Sequence, residues 1–165
     1  MRETSLKYTD IIFDAKPDAV PYNYRISYKV TQLCLIMRIC GYGDACSLIK
    51  LHMISYALIS QGNMKKLVEF VNGTGSMPIV RFDPSVNRAL TYAIGYGLIK
   101  HQQNAKYKLT NYGKQLAEQI KAVGDLMVIE ISDLNLLAKK LTESKVEEIV
   151  NKWRIKDAEN QQTTS

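Results

Sequence analysis

"GYGLIKHQQNAKYKLTNYGKQLAEQI", residues 95–120, decides the fold. Leu98 to His101 reads as a short apolar strand, "QQNA" as a polar turn, and Lys106 to Thr110 as a second strand that alternates. Thr110 or Asn111 then caps a helix reaching about Val123. Two short strands around a tight turn, followed at once by a helix, form the pattern of the wing in a winged helix-turn-helix. Such a wing can grip DNA or another protein.

Upstream of the wing, Asp83 and Pro84 place a capping carboxylate before a proline at the first helical position. The helix they start runs to Tyr96, with Val86, Ala89, Leu90, Ala93 and Ile94 facing inward and Ser85, Arg88 and Tyr92 on the opposite side. "IVRFD" before it reads as a short strand from its β-branched and aromatic content. Earlier still, "ISYKVTQLCLIMRIC" carries Ile26, Val30, Leu33, Cys34, Met37 and Cys40 at helical spacing. Gly41 and Gly43 break that helix, and Asp44 reads as the cap of the next. That next helix groups Ala45, Leu48, Ile49, His52, Met53, Tyr56 and Ile59 on a broad apolar face. A short helix through "MKKLVEFV" and a loop, "NGTGSMP", complete the segment.

This order predicts a mainly α protein with a small β-sheet (α+β), a winged helix-turn-helix with added N- and C-terminal segments. The expected divisions are an N-terminal arm over 1–24, a winged-helix domain over 25–123, a C-terminal helical extension over 124–156 and a flexible tail over 157–165. The extension reads as a short strand or turn and two helices. The last of these carries Val146, Ile149, Val150 and Trp153 at i, i+3, i+4, i+7.

Hydrophobic residues make up 46% of the 165, enough to build a core. No apolar run is long enough for a membrane span, and "MRETSLKYTD" has no signal-peptide character, so the cytoplasm is the expected location. Cys34, Cys40 and Cys46 are odd in number and form no CxxC pair, which argues against a disulfide framework and a zinc finger. The formal net charge is +6, and residues 79–123 hold seven Lys/Arg against two Asp/Glu. A basic wing favours phosphates, although the same cations also suit an ordinary solvated face.

Little points to catalysis. His52 falls on an apolar helix face and reads as a satisfied core histidine, while His101 sits on a wing strand and is expected to be exposed. "GNMKKL" and "NGTGSM" lack the Gly-Lys-Ser/Thr ending of a phosphate loop. No nucleophile elbow, paired-carboxylate motif or metal-ligand spacing stands out, so the expectation is a non-enzyme with no cofactor and no metal.

Recognition is the better-supported role. The outer face of the Asp83-capped helix is where a DNA reader carries base contacts. Here it offers Arg88 with Ser85, Asn87, Thr91 and Tyr92. Lys100, Lys106 and Lys108 on the wing join Arg88 as the candidate DNA contacts. Tyr92 and Trp153 are the candidate partner contacts, since tyrosine and tryptophan are favoured at protein interfaces.

Three stretches carry a family resemblance: "YRISYKVTQLCLIMRICGYGDACSLIKLHMISYALIS", "IVRFDPSVNRALTYAIGYGLI" and "KYKLTNYGKQLAEQI". An arginine-led helix is followed by a small-x-Leu-x-x-x-His helix ending in Tyr56, Ala57 and Leu58. Next come Arg81, Asp83, Pro84, Asn87, Ala89 and Leu90 in an R-x-D-P-x-x-N-x-A-L start, and Tyr107, Leu109, Thr110 and Gly113 in a closing Y-x-L-T-x-x-G. The combination resembles the middle components of bacterial ABC-three-component systems over residues 21–123, with Tyr56 where the family often has tryptophan. The resemblance implies an accessory subunit encoded beside an SMC-like ABC ATPase and a variable effector, often a nuclease. Lamassu anti-phage and anti-plasmid systems look like members of this wider group. Such a subunit would dock on the ATPase and help couple DNA sensing to effector release, touching DNA weakly and no membrane. The competing reading is a stand-alone winged-helix transcription regulator, with the C-terminal helices as its dimer element.

Overall fold

The computed structural model describes residues 25–163. The N-terminal arm read over 1–24 lies outside the described residues. Helix α1, Ile26–Cys40, buries Val30, Leu33, Cys34, Leu35, Ile36, Met37 and Cys40, which between them point in every direction around the axis. A helix apolar on all sides can only sit inside a fold. The others gather around it: α2 (Leu48–Ala57), α3 (Gln61–Val71), α4 (Pro84–Gly95), α5 (Asn111–Val123), α6 (Val128–Leu137) and α7 (Glu143–Thr163). α1 packs against α2, α4, α5 and α6, while α7 rests on α2.

A three-stranded antiparallel sheet closes one side, with β1 (Ala45–Ser47), β2 (Ile99–His101) and β3 (Lys106–Leu109) in the order β1-β3-β2. The protein is therefore mainly helical with a small sheet, an α+β arrangement. Cys46, Ile99 and Leu109 are buried beneath the sheet. No helix among the described residues is long and apolar enough to cross a membrane.

The β2–β3 hairpin and the helix after it form where the sequence places them. Thr110 is the N-cap of α5, its hydroxyl accepting from the Gly113 amide at 3.2 Å and donating to the Gly97 carbonyl. Gly113 meets the next demand. The first turn of α5 lies so close to Leu98 that an added Cβ would overlap the Leu98 carbonyl and the Leu109 side chain. At the other end Gly124 takes the left-handed conformation at φ 81°, the usual helix stop.

Several local readings are corrected. "IVRFD" is no strand: Ile79 is 71% and Phe82 59% exposed, and the segment pairs with nothing in the sheet. The third strand is Ala45–Ser47, read from sequence as the start of a helix. A strand needs a neighbour to take its backbone hydrogen bonds. The turn after α1 delivers Ala45 beside Lys108 and Ser47 beside Lys106 along the open edge of β3. Asp44 consequently caps nothing. Ser47 is the N-cap of α2, and Asp44 pairs with Arg38 at 2.9 Å and Lys114 at 3.5 Å.

On α4, Ser85 is buried under the cap rather than outward, and Ile94 is exposed rather than inward. Ile59 is likewise exposed, because α2 stops at Ala57. Of the short strand or turn read after Gly124, residues 124–127 form the turn and no strand, the two expected helices follow, and α7 continues to Thr163 through the stretch read as a tail.

Gly113→Ala should lower stability by about 1–3 kcal/mol, the range for forcing an extra carbon into a packed site. Thermal melts of the two proteins check it, and an unchanged midpoint would show that α5 is free to shift away from Leu98.

Candidate partner and nucleic-acid interface

The outer face of α4 is held in place by a polar network beneath it. Asp83 accepts from the Ser85 amide at 2.9 Å and from the Ser85 hydroxyl at 2.6 Å. Its backbone N–H donates to His52 Nδ1 at 3.3 Å, and His52 Nε2 lies 3.3 Å from Asn87 Oδ1. Lys29 on α1 completes the set. It is 2% exposed, and its Nζ lies 3.1 Å from Ser55 Oγ, 3.4 Å from Gln32 Oε1 and 3.7 Å from Asp83 Oδ2. α1, α2 and the start of α4 are thus joined through one buried ammonium.

The electrostatics follow from burial. Desolvation pulls the Lys29 pKa down, and Asp83 offsets part of that. Desolvation alone would raise Asp83, but the Ser85 bonds and the Lys29 charge outweigh it and hold the carboxyl below its ordinary value. Burial also lowers His52, against the raising effect of Asn87. Ser55 beside Lys29 has the geometry of a serine–lysine pair, but each residue is only 2% exposed. Buried in this way, the pair joins α1 to α2.

Above this network α4 presents Asn87, Arg88, Thr91 and Tyr92 to solvent. Tyr92 is 50% exposed and stacks on Tyr96, one turn on, with ring centroids 6.3 Å apart. Arg88 stands one turn before Tyr92, so the three share a stripe at i, i+4, i+8. Tyr96 was read only as the end of the helix, although its spacing from Tyr92 was there to read.

The three lysines read from the sequence as wing contacts lie on the β2–β3 hairpin. Lys100 and Lys108 sit directly opposite each other across the β2–β3 ladder, and strand alternation puts Lys106 on the same side as Lys108. Like charges directly opposite repel. None of these three lysines, nor Arg88, forms an ion pair among the described residues. His101 is exposed, as expected, with its ring 4.8 Å from Tyr107.

Trp153 is half-buried and packed against the core beside Val150, so it chiefly anchors α7. Between α7 and the hairpin runs a groove of about 720 Å³, lined by His101, Lys106, Tyr107, Val146, Val150 and Arg154, among others. The buried lysines, Lys29 and Lys50, were missed from sequence. The available signal was a single charge embedded in an apolar helical run, "SYKVTQLCLIM" and "SLIKLHMI". All three cysteines are buried, and burial pushes each thiol up to about 12. No family model, characterised protein or solved structure matches this chain.

Asp83→Ala should cost more than the ~1 kcal/mol of a lost cap, approaching ~3 kcal/mol because Lys29 stays buried without its carboxylate. Adding Lys29→Met should recover part of that loss in urea titrations. A loss equal to the cap alone, unchanged by Lys29→Met, would show that the two residues do not act together.

His52 sets a pH dependence. Its folded pKa is below the unfolded value of 6.5, so the unfolded chain binds more protons. The stabilisation is fully present above pH 6.5 and declines as pH falls toward the folded pKa. His52→Gln should remove that part of the slope when melts are compared across this range.

Proposed function

We propose that this chain is a winged-helix accessory subunit, non-catalytic, of an SMC-like ABC ATPase complex in bacterial anti-phage or anti-plasmid defence. In this reading it acts in the cytoplasm, docks on the ATPase and helps couple DNA sensing to an effector, often a nuclease. The family resemblance over residues 21–123 supplies the identity of the partners. The winged-helix reading is supported by the hairpin between α4 and α5 and by the strand before α2 that joins it.

One observation carries the preference for protein docking over sequence reading. The outer stripe of α4 is aromatic, with Arg88 as the single cation beside stacked Tyr92 and Tyr96. Tyrosine and arginine in one patch are the residue types that dominate protein hot spots. A dedicated DNA reader makes roughly 6–10 phosphate contacts. Here Arg88, Lys100, Lys106 and Lys108 provide the cations, and the repelling Lys100–Lys108 pair suits one passing phosphate.

The isolated protein should bind duplex DNA weakly and without sequence preference, with a log–log salt slope no steeper than about −4. The deciding experiment is co-expression with the ABC ATPase encoded beside it. Changing Lys100, Lys106 and Lys108 together to glutamate should abolish DNA binding and leave the complex intact. Tyr92→Ala with Arg88→Glu should break the complex while the fold, checked by circular dichroism, persists. Nanomolar binding of one short sequence at physiological salt would establish a stand-alone transcription regulator instead.

A further inference from the structure

The two buried lysines differ in one respect. Lys29 has a carboxylate, a hydroxyl and an amide oxygen around it. Lys50 is equally buried, at 2% exposure, yet its Nζ has one hydrogen bond among the described residues, to the Cys40 carbonyl at 2.8 Å, and no ion pair. A buried ammonium with so little compensation is costly, and it calls for an anion.

Lys50 lines a notch of about 210 Å³ that also holds Lys106, Lys139, Thr142, Glu143 and Tyr42. Lys139 donates to the Gly41 carbonyl, and neither Lys106 nor Lys139 forms an ion pair among the described residues. Glu143, on the wall of the same notch, accepts from the Ser47 amide at 2.9 Å through one carboxylate oxygen. Lys50, Lys106 and Lys139 therefore line the notch together with Glu143, three cationic residues to one carboxylate. Each ammonium has three N–H donors, so at least two on Lys50 and two on Lys139 remain after the carbonyls are served.

The notch opens beside the larger groove, with which it shares Lys106 and Glu143. At about 720 Å³ that groove falls within the usual 300–1,000 Å³ of a small-molecule site. His101 and Tyr107, with rings 4.8 Å apart, stand on its hairpin wall, and Val146 and Val150 are on the helix wall.

We propose that the notch binds a phosphate group and the groove the body of the same ligand, a nucleotide whose ring lies against His101 and Tyr107. The bond is electrostatic and reversible. Lys50, Lys106 and Lys139 donate to phosphate oxygens as charge-assisted hydrogen bonds. This site is distinct from the α4 stripe and does not depend on the identity of the partner proposed above.

Calorimetric titration of the full chain tests it with inorganic phosphate, ATP and a short DNA duplex as separate probes. ATP should bind more tightly than phosphate. Lys50→Met and, on the exposed rim, Lys139→Gln should each weaken ATP by about tenfold or more, the scale of one lost charge-assisted bond. Lys29→Met should leave it unchanged. His101→Ala should remove only the advantage of ATP over phosphate. Lys139→Gln keeps the test open if Lys50→Met fails to fold. Equal binding of phosphate and ATP would keep the notch and assign it to free phosphate. No binding of either, or binding indifferent to Lys139→Gln, overturns the site. Duplex binding that ignores both lysine changes would assign DNA to the wing alone.

Discussion

An ammonium at the centre of a helical bundle needs oxygen acceptors from more than one direction. Lys29 finds them on three elements: Gln32 on α1, Ser55 on α2 and Asp83 at the mouth of α4. These contacts join the start of α4, set locally by Asp83 and Pro84, to α1 and α2. Asp83 does two tasks, since the same carboxylate caps the helix and faces the buried charge. His52 holds the Asp83 amide and reaches Asn87 one turn into α4. The exposed stripe of Arg88, Tyr92 and Tyr96 inherits its position from this buried polar set.

The sheet depends on the bundle in a different way. Its strands are three or four residues long and could not persist alone. Leu109 and Ile99 plug them into the core, and Thr110 and Gly113 tie the hairpin to α5 through Gly97 and Leu98. The Tyr-x-Leu-Thr-x-x-Gly pattern thus has a physical basis. Leucine fills the core, threonine caps the helix, and glycine permits the close approach. What remains on the outside of the hairpin, Lys100 and Lys108, is free to answer to function.

Two surfaces with different chemistry result. The α4 stripe is aromatic, and the proposed function assigns it to another protein. The notch and groove beside the hairpin and α7 are concave and lined by lysines at one end, the place proposed for a small anionic ligand. Lys106 belongs both to the hairpin and to the notch, so occupancy of one would be felt by the other.

The elements whose signals are local were legible in the sequence. Asp83-Pro84, Thr110 and the apolar spacing of α1 declare themselves, because caps and helical periodicity act over one or two turns. The burial of His52, Val86, Ala89 and Leu90 followed from the same periodicity. The tertiary structure alone decided which segment became the third strand. "IVRFD" has better strand residues than "ACS", but only Ala45–Ser47 reaches the open edge of β3. Propensity is weak beside a hydrogen-bonding neighbour. The same holds for the buried lysines: the carboxylate that answers Lys29 lies 54 residues along the chain from it, and the ring of groups around Lys50 comes from residues 40 to 143. Charge compensation is a matter of distance in space, and only folding sets that distance.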